Sequence, residues 1–226
     1  MSTSDHKRNG FDWAQVDDVL LDMDGTLLDR HFDNFFFEEA LPRRYAERFG
    51  GDFEESKQRL MGMYRAVEGR LEWADLEYWT RTLGIDVVAL SREWAHLIGY
   101  LPDAVEFLGQ VRGMGKRVTL VTNAHPGGIA IKTGRTGLDR HVDRIVGAFD
   151  LGCLKMQPGF WPACQGAVVF DPARTLYLDD DEACLAAVER YGIRHLYHSA
   201  KSSSRLPAEP SGRFPAISAF SDLTGA

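Results

Sequence analysis

The sequence predicts an α/β fold, with a mostly parallel sheet in the core and an all-helical segment inserted after the first strand. Two observations lead to this class. Strand and helix patterns alternate between residues 102 and 198, as they do in parallel sheets covered by helices. Residues 31–98, by contrast, show aromatic-rich helical patterns and no clear strand. The predicted domains are therefore a core of residues 15–30 and 99–226 and a helical cap of residues 31–98.

The elements of the core follow from local patterns. The first strand is the apolar run Val19-Leu20-Leu21, whose lack of alternation is typical of a strand buried on both faces. Apolar residues at helical spacing predict a helix within residues 102–116. Further strands are predicted at residues 118–122, 144–149, 175–181 and 193–198, with a helix at 182–192 that ends at Gly192. After a Ser- and Pro-rich loop at residues 199–215, the string ISAFSDL predicts a final short element.

The composition narrows the class of function. The 226 residues suffice for one domain, or for one domain with a smaller insertion. The formal net charge of −7 argues against a nucleic-acid binder, because the chain has no basic surplus with which to displace counterions. No window of about eighteen apolar residues occurs, so no membrane span is expected. The expected partner is a small molecule, and the oligomeric state stays open.

The cysteines indicate a reducing compartment. Cys153, Cys164 and Cys184 are odd in number and form no CxxC pair, which is typical neither of a disulfide framework nor of a zinc site. Residues 1–18 contain no apolar segment of the kind found in secretory signal peptides. Together these observations predict a cytoplasmic protein.

The string VLLDMDGTLLD, residues 19–29, has two interpretations. Asp-Gly between apolar runs is a strong signal for a hairpin turn at Asp24-Gly25. Alternatively, the strand continues, and its period of two points Asp22 and Asp24 the same way and concentrates negative charge where the strand ends. Two carboxylates so placed repel each other unless a cation or a proton separates them.

Polar strand ends elsewhere in the chain favour the second interpretation. The first strand ends in residues 22–26, the second in Thr122-Asn123 and the fourth in residues 179–181. In an open parallel sheet, ligands bind outside the carboxyl ends of the strands. A cluster of carboxylates without His or Cys suits a hard cation, and Mg²⁺ is the first choice when a phosphate is present. One acidic residue, Asp181, is also expected to cap the helix that begins near Glu182.

At this point the chain resembles a known family. The string DMDGT is similar to the nucleophile motif of the haloacid dehalogenase superfamily of phosphohydrolases, and Thr122 with Asn123, Lys155, and Asp179-Asp180 resemble its second, third and fourth motifs in order. The resemblance spans residues 19 to about 195 and implies a Rossmann-like core with a small helical cap of the C1 type. Shorter strings, FDN, LEYW, GK and TNAHP, resemble bacterial purine 5′-nucleotidases that prefer GMP and IMP.

The resemblance implies a role for each motif residue. Asp22 would be the nucleophile, Asp24 the general acid and then the general base, and Lys155 a fixed positive charge on the phosphoryl group. The implied catalytic residues are Asp22, Asp24, Thr122 and Lys155; the implied substrate-binding residues are Thr26, Thr122, Asn123 and Lys155; and the implied Mg²⁺ ligands are Asp22, Asp24 through its carbonyl, and Asp180.

This chain departs from the family pattern at two places. The third motif often reads Lys-Pro, whereas Pro158 here stands three residues after Lys155. Many relatives carry Asp or Asn about four residues beyond the position of Asp180, where this chain has Cys184. The support of the metal site and the choice between Asp179 and Asp180 as its ligand therefore stay open.

The expected function is that of a Mg²⁺-dependent phosphatase acting through an aspartyl-phosphate, and specifically of a 5′-nucleotidase on purine monophosphates. The alternatives are a phosphatase or phosphomutase of the same fold acting on sugar phosphates or phosphoglycolate, and a non-catalytic regulator that binds a nucleotide or a protein. The cap aromatics that could stack on a purine or build the cap interior are Phe35, Phe36, Phe37, Trp73, Tyr78 and Trp79. His125, Arg43 and Arg44 are further candidates for substrate contacts or for ordinary surface interactions.

Overall fold

The computed structural model describes residues 11–225 of the chain. Residues 1–10, part of the segment in which no signal peptide is expected, lie outside the described residues, as does residue 226 of the expected core. Across the described part of the chain, no helix has both the length and the apolar character needed to cross a bilayer.

The core is one parallel sheet. Its strands are β1 (Asp18–Leu21), β2 (Arg117–Thr122), β3 (Arg144–Gly147), β4 (Thr175–Asp179), β5 (His195–Ser199) and β6 (Ala216–Ile217). They lie in the order β3-β2-β1-β4-β5-β6, and every neighbouring pair is parallel. The expected α/β class with a Rossmann-like parallel sheet is therefore confirmed, and the carboxyl ends of β1, β2 and β4 lie side by side.

Helices cover the sheet and form the inserted segment. Those of the insertion are α1 (His31–Phe35), which continues as a π-helical stretch (Phe36–Ala40), α2 (Leu41–Phe49), α3 (Phe53–Ala66), α4 (Leu76–Leu83) and α5 (Val87–Glu93). Those of the core are α6 (Ala104–Gly113), α7 (Pro126–Thr136), α8 (Ala148–Leu151), α9 (Phe160–Ala167), α10 (Glu182–Tyr191) and α11 (Ser221–Thr224). Short 3₁₀ turns occupy Trp13–Gln15, Leu71–Trp73, Ala95–Leu97, Leu138–Arg140 and Pro172–Arg174. The division into two domains at residues 31 and 98 stays a prediction.

Aspartate caps explain where three helices of the insertion begin. The side chains of Asp52, Asp75 and Asp86 accept hydrogen bonds from backbone N–H groups in the first turns of α3, α4 and α5. Such caps satisfy donors that the helix itself leaves without partners. Local sequence signals therefore determine where these three helices begin.

The sheet buries apolar side chains on both of its faces. Val19 and Leu21 belong to one hydrophobic cluster and Leu20 to the other, as expected from the alternation of side chains along a strand. The first cluster also contains Leu41 and Trp79 from the insertion, so the insertion packs on the core through buried apolar contacts.

Three expected boundaries need correction. The third strand ends at Gly147 rather than at residue 149, because the carboxylate of Asp150 accepts the Gly147 N–H and α8 begins there. The fourth strand ends at Asp179 rather than at residue 181, because Asp181 caps α10 by accepting the Ala183 N–H at 2.7 Å. The fifth strand begins at His195 rather than at residue 193, because the N–H groups of Ile193 and Arg194 donate to the Val188 and Pro172 carbonyls and not to a neighbouring strand.

Within residues 11–225, no hairpin turn forms at Asp24-Gly25. The chain turns within residues 23–28, where the N–H groups of Leu27 and Leu28 both donate to the Met23 carbonyl. After β1 it leaves the sheet for the insertion. The short element expected near the C-terminus does form, with β6 pairing alongside β5 and α11 following it.

Candidate active site

The residues expected at the site, with the exception of Thr26, line one cavity of about 510 Å³, between the carboxyl edge of the sheet and the helices of the insertion. Its core wall includes Asp22, Asp24, Thr122, Asn123, Lys155 and Asp180. Its cap wall, which we define as the lining residues between 31 and 98, includes Phe36, Phe37, Met61, Tyr64, Trp73 and Leu76. The cavity therefore has one charged side and one mainly apolar side.

Lys155 is the central charged group of the core wall. It is 2% exposed, and its Nζ donates hydrogen bonds to Asp22 Oδ1 and, at 2.8 Å, to Asp179 Oδ2. Burial alone would lower the pKa of Lys155, but the charges of Asp179 and Asp22 outweigh it and hold the pKa well above its usual value. The ammonium group therefore stays charged and binds one carboxylate at the end of β1 and one at the end of β4.

Three hydrogen bonds position Lys155 in a loop that lacks the Lys-Pro pair. The Lys155 N–H donates to Asn123 Oδ1 at 2.8 Å, and Trp161 Nε1 donates to the Lys155 carbonyl at 2.9 Å. One residue earlier, the Leu154 N–H donates to Gln157 Oε1 at 2.9 Å. Asn123 thus contacts the lysine loop through its side chain, in addition to lining the cavity.

The acidic cluster forms an oxygen-rich site. One carboxylate oxygen from each of Asp22, Asp179 and Asp180 lies within 4.8 Å of the others. Burial, aided by the neighbouring carboxylates and opposed by Lys155, raises the pKa of Asp22 well above its usual range. Burial likewise raises the pKa of Asp180 to about 6, against the opposing charge of Arg30. An all-oxygen donor set under this mutual repulsion fits a hard divalent cation such as Mg²⁺.

Asp179 and Asp180 differ in how their oxygens are used. Asp179 Oδ1 accepts the Asp181 N–H at 2.9 Å, and Asp179 Oδ2 accepts bonds from Lys155 and Tyr177. Within residues 11–225, the Asp180 carboxylate accepts a side-chain hydrogen bond only from Arg30, at 2.7 Å. Asp180 therefore has more lone pairs free for a cation than Asp179.

Gly25 in the DMDGT string is required by close packing. It has a φ of +90°, and a Cβ placed there would lie 2.2 Å from Asp180 Oδ2. Any side chain would strain the backbone and displace the carboxylate. The glycine therefore brings the end of the first motif against the fourth.

Asp24 lies beside a second buried lysine that the sequence did not point to. Lys132 Nζ, on α7, lies 2.7 Å from Asp24 Oδ2, and it also donates to both carboxylate oxygens of Asp33, on α1, at 2.8 and 2.9 Å. Asp24 Oδ1 is buried and has no hydrogen-bond partner within residues 11–225. Burial and the Asp24 charge, opposed by Lys132, raise the pKa of Asp33 to about 6.

Arg30, Asp33 and Lys132 were therefore missed as site residues. Lys132 is the single charged residue in the string PGGIAIKTG, which is a usable signal in an otherwise small and apolar helix. Asp33 belongs to the FDN string that contributed to the narrower resemblance. For Arg30, which directly follows the string VLLDMDGTLLD, the sequence offers no comparable signal.

The two predicted threonines lie in different environments. Thr122 lines the cavity, and its Oγ1 accepts the Ala124 N–H at 3.1 Å, which leaves its hydroxyl proton available to another acceptor. Thr26 is fully buried and is not part of the cavity lining. Its hydroxyl has no hydrogen-bond partner in the described part of the chain. The geometry therefore supports a substrate contact for Thr122 and gives none to Thr26.

The cap aromatics divide into two groups. Phe36, Phe37 and Trp73 line the cavity, and Tyr64, which had not been singled out, joins them. Phe35, Tyr78 and Trp79 lie outside the lining and pack on other aromatic rings at centroid distances of 4.8 to 5.0 Å. Trp73 is 43% exposed, which leaves part of its ring without protein contacts.

The remaining candidates make ordinary protein contacts. His125 lines the cavity but caps α7 by accepting the Gly127 N–H at 3.1 Å. Arg43 donates to Glu39 at 2.9 Å and Arg44 to Glu93 at 2.8 Å, and both arginines lie outside the cavity lining. The structure therefore gives the two arginines surface ion pairs rather than a place at the site.

Comparisons with known proteins agree on the family. A family model described as haloacid dehalogenase-like hydrolase matches residues 16–192. The GMP/IMP nucleotidase YrfG of Escherichia coli (strain K12) is 35% identical over 211 residues, which cover 93% of this chain and 95% of that protein. The protein of the same name from Shigella flexneri has the same identity and coverage. The resemblance to GMP/IMP nucleotidases is thus confirmed.

Solved structures show the same fold with different chemistries. A HAD phosphatase from Thermococcus onnurineus has a TM-score of 0.77 at 17% identity, covering 93% of this chain and 97% of its own. An L-2-haloacid dehalogenase from Xanthobacter autotrophicus has a TM-score of 0.57 at 14% identity, covering 92% and 96%. At such identities these likenesses establish the fold alone. With the family model spanning most of the chain and the curated relative nearly all of it, the protein is an enzyme of the haloacid dehalogenase-like hydrolase family.

Proposed function

We propose that this protein is a Mg²⁺-dependent 5′-nucleotidase that hydrolyses purine monophosphates such as GMP and IMP through an aspartyl-phosphate on Asp22. The observation that carries the proposal is the position of Lys155, which binds both Asp22 and Asp179 on the core wall of a cavity whose other wall is mainly apolar and includes aromatic side chains. The similarity to a curated GMP/IMP nucleotidase supports the choice of substrate.

The acidic cluster fits the metal that the family implies. Asp22, Asp180 and the backbone carbonyl of Asp24 would hold Mg²⁺, and Asp179, whose oxygens are already engaged, would orient Lys155. When bound, the ion neutralises negative charge on the carboxylates and on a phosphate oxygen.

The residues of the core wall would perform two displacements. In the first, an Asp22 oxygen forms a bond to phosphorus while the bond to the nucleoside oxygen breaks, and Asp24 donates a proton to that oxygen. In the second, a water attacks the same phosphorus, Asp24 accepts its proton, and the Asp22 carboxylate leaves with inorganic phosphate as product. The Thr122 hydroxyl and the Lys155 ammonium would bind the phosphoryl oxygens throughout.

The cap wall would bind the nucleoside. A cavity of about 510 Å³ lies within the range of small-molecule sites, which is roughly 300–1,000 Å³. Trp73 has a partly free ring on which a purine can stack. Tyr64 lines the cavity, and its hydroxyl is buried and has no hydrogen-bond partner within residues 11–225, which makes it a candidate partner for a polar edge of the base.

Phosphate release with Mg²⁺ across nucleoside monophosphates and sugar phosphates tests the proposal. Preference for GMP and IMP is the expected result. Turnover of sugar phosphates alone would keep the mechanism and reject the nucleotidase assignment. Loss of release in Asp22→Asn, with ligand binding retained, would support the covalent route.

A cytoplasmic location and the lack of nucleic-acid binding belong to the same proposal and rest on the composition of the chain.

A further inference from the structure

We propose that Lys132 is a positioning residue that fixes the carboxyl group of Asp24, and that Asp33 couples this position to the cap. The inference rests on the proposed function, because it concerns the residue that would exchange protons in both displacements. It adds a core lysine and a cap aspartate whose part in the reaction the family motifs do not describe.

The first argument is the asymmetry of the Asp24 carboxylate. Lys132 Nζ lies 2.7 Å from Oδ2, whereas Oδ1 is buried and has no partner within residues 11–225. An ammonium group at this distance holds that oxygen by a charge-assisted contact, and the other oxygen makes none. Lys132 therefore fixes the orientation of the Asp24 carboxyl group through Oδ2.

The second argument is the rigidity of the lysine. Lys132 is 5% exposed, lies over the Phe32 ring with its Nζ 5.6 Å from the centroid, and binds Asp33 through both carboxylate oxygens. These contacts restrain the ammonium group in space. A carboxyl group held by a restrained partner keeps the orientation that proton transfer requires, and small misplacements of such groups reduce rates strongly.

The third argument is that the three residues come from different parts of the fold. Asp24 lies in the turn after β1, Lys132 lies on α7, and Asp33 lies on α1 at the start of the inserted segment. The lysine therefore joins the core to the insertion at the reacting group itself. A displacement of α1 would move a partner of Lys132 and, through it, Asp24.

The test compares p-nitrophenyl phosphate with GMP in Lys132→Met. The p-nitrophenolate group leaves without protonation, so formation of the aspartyl-phosphate from that substrate does not need Asp24, whereas its hydrolysis does. We expect a burst of about one equivalent of p-nitrophenol per site, followed by turnover slowed about tenfold to a hundredfold. With GMP, which has an alkoxide leaving group, we expect a comparable loss and no burst.

Lys57→Met is the matched control. Lys57 also interacts with two carboxylates, at 3.2 Å from Glu39 and 3.7 Å from Glu38, and its Nζ lies 5.9 Å from the centroid of the Phe53 ring. It lies outside the cavity lining, so its loss should leave both substrates at wild-type rates. Loss of the p-nitrophenol burst itself in Lys132→Met, or unchanged rates with both substrates, would overturn the proposal.

A second variant tests the proposal in the case that Lys132→Met does not fold. Asp33→Asn preserves the size of the side chain and keeps Lys132 in place with a weaker partner, so we expect the same burst pattern with a smaller slowing, about three- to tenfold. Equal rates in Asp33→Asn and wild type would reject the coupling to the cap. If wild-type protein hydrolyses p-nitrophenyl phosphate but not GMP, the nucleotidase assignment fails, and an alkyl phosphate that it does hydrolyse replaces GMP in the same comparison.

Discussion

The two walls of the cavity are built in different ways. The core wall is charged, and its groups follow the ends of parallel strands that the backbone holds in fixed register. The cap wall is mainly apolar and consists of side chains from helices and a 3₁₀ turn whose positions depend on packing. Changes in the core wall should therefore affect every substrate alike, whereas changes in the apolar side chains of the cap wall should distinguish between substrates.

The largest effect is expected on the core wall, for Asp22→Asn. Phosphate release from GMP and from p-nitrophenyl phosphate should both fall at least about a thousandfold, because removal of a nucleophile leaves only binding and electrostatic contributions. Asp139→Asn, at an exposed position outside the cavity, is the control. If Asp22→Asn kept its activity with either substrate, the core wall would not act as proposed.

Removal of divalent metal should have the next largest effect, again equal for all substrates. Without a cation, the carboxylates of Asp22, Asp179 and Asp180 repel each other and the incoming phosphate. Treatment with EDTA should lower phosphate release at least about a hundredfold. Titration with Mg²⁺ should then restore it. Full activity in EDTA would reject the metal assignment.

Trp73→Ala should separate the substrates. The KM for GMP should rise about five- to tenfold, in line with the free energy of one stacked base, while the rate with p-nitrophenyl phosphate stays the same within a factor of about two. Phe49→Ala is the control, since Phe49 is 54% exposed and lies outside the cavity lining. An equal loss with both substrates would mean that the cap wall does not select the base.

The smallest effect is expected at the junction of the core and the insertion, where the Asp29 N–H donates to the Gly99 carbonyl. Hydrogen bonds from residues 31, 203 and 204 lower the pKa of Asp29 despite partial burial, and the Ser204 N–H donates to it at 3.1 Å. A lowered folded-state pKa stabilises the fold above the unfolded pKa of about 4, and this stabilisation is lost as the pH falls through the folded-state value. Asp29→Asn should therefore be less stable than wild type at pH 6 by under about 1 kcal/mol.

Urea midpoints at pH 6 and pH 3 measure this difference, which should shrink at the lower pH. The rate with p-nitrophenyl phosphate should stay unchanged. A difference that grew as the pH fell would show that Asp29 does not stabilise the junction as a carboxylate.

The core wall was largely predictable because its signals are local. The first, second and fourth motifs stand at the ends of recognisable strands, and parallel topology brings the strand ends together whatever lies between them. Asp181 as the cap of α10 follows from the same kind of local pattern. Lys155 reaches the site although the Lys-Pro pair is absent, because hydrogen bonds with Asn123 and Trp161 fix its loop.

The rest could not be predicted because it depends on contacts between distant residues. Arg30 meets Asp180 across 150 positions, and Lys132 meets Asp33 across 99, with no periodicity to link them. Which cap aromatics face the cavity depends on how each helix rotates against its neighbours. Trp73 and Trp79 are only six residues apart, yet one is 43% exposed and the other 1%.

The central position of β1 has a consequence for synthesis of the chain. Asp18 pairs with Arg117 on one side and with Thr175 on the other, so neither neighbour of this strand exists when it leaves the ribosome. The side chains of Val19, Leu20 and Leu21 are 0 to 1% exposed in the finished sheet. During synthesis they stay uncovered until about a hundred more residues have emerged from the ribosome. The nascent chain should therefore be most prone to aggregation, and most in need of chaperones, before β2 appears.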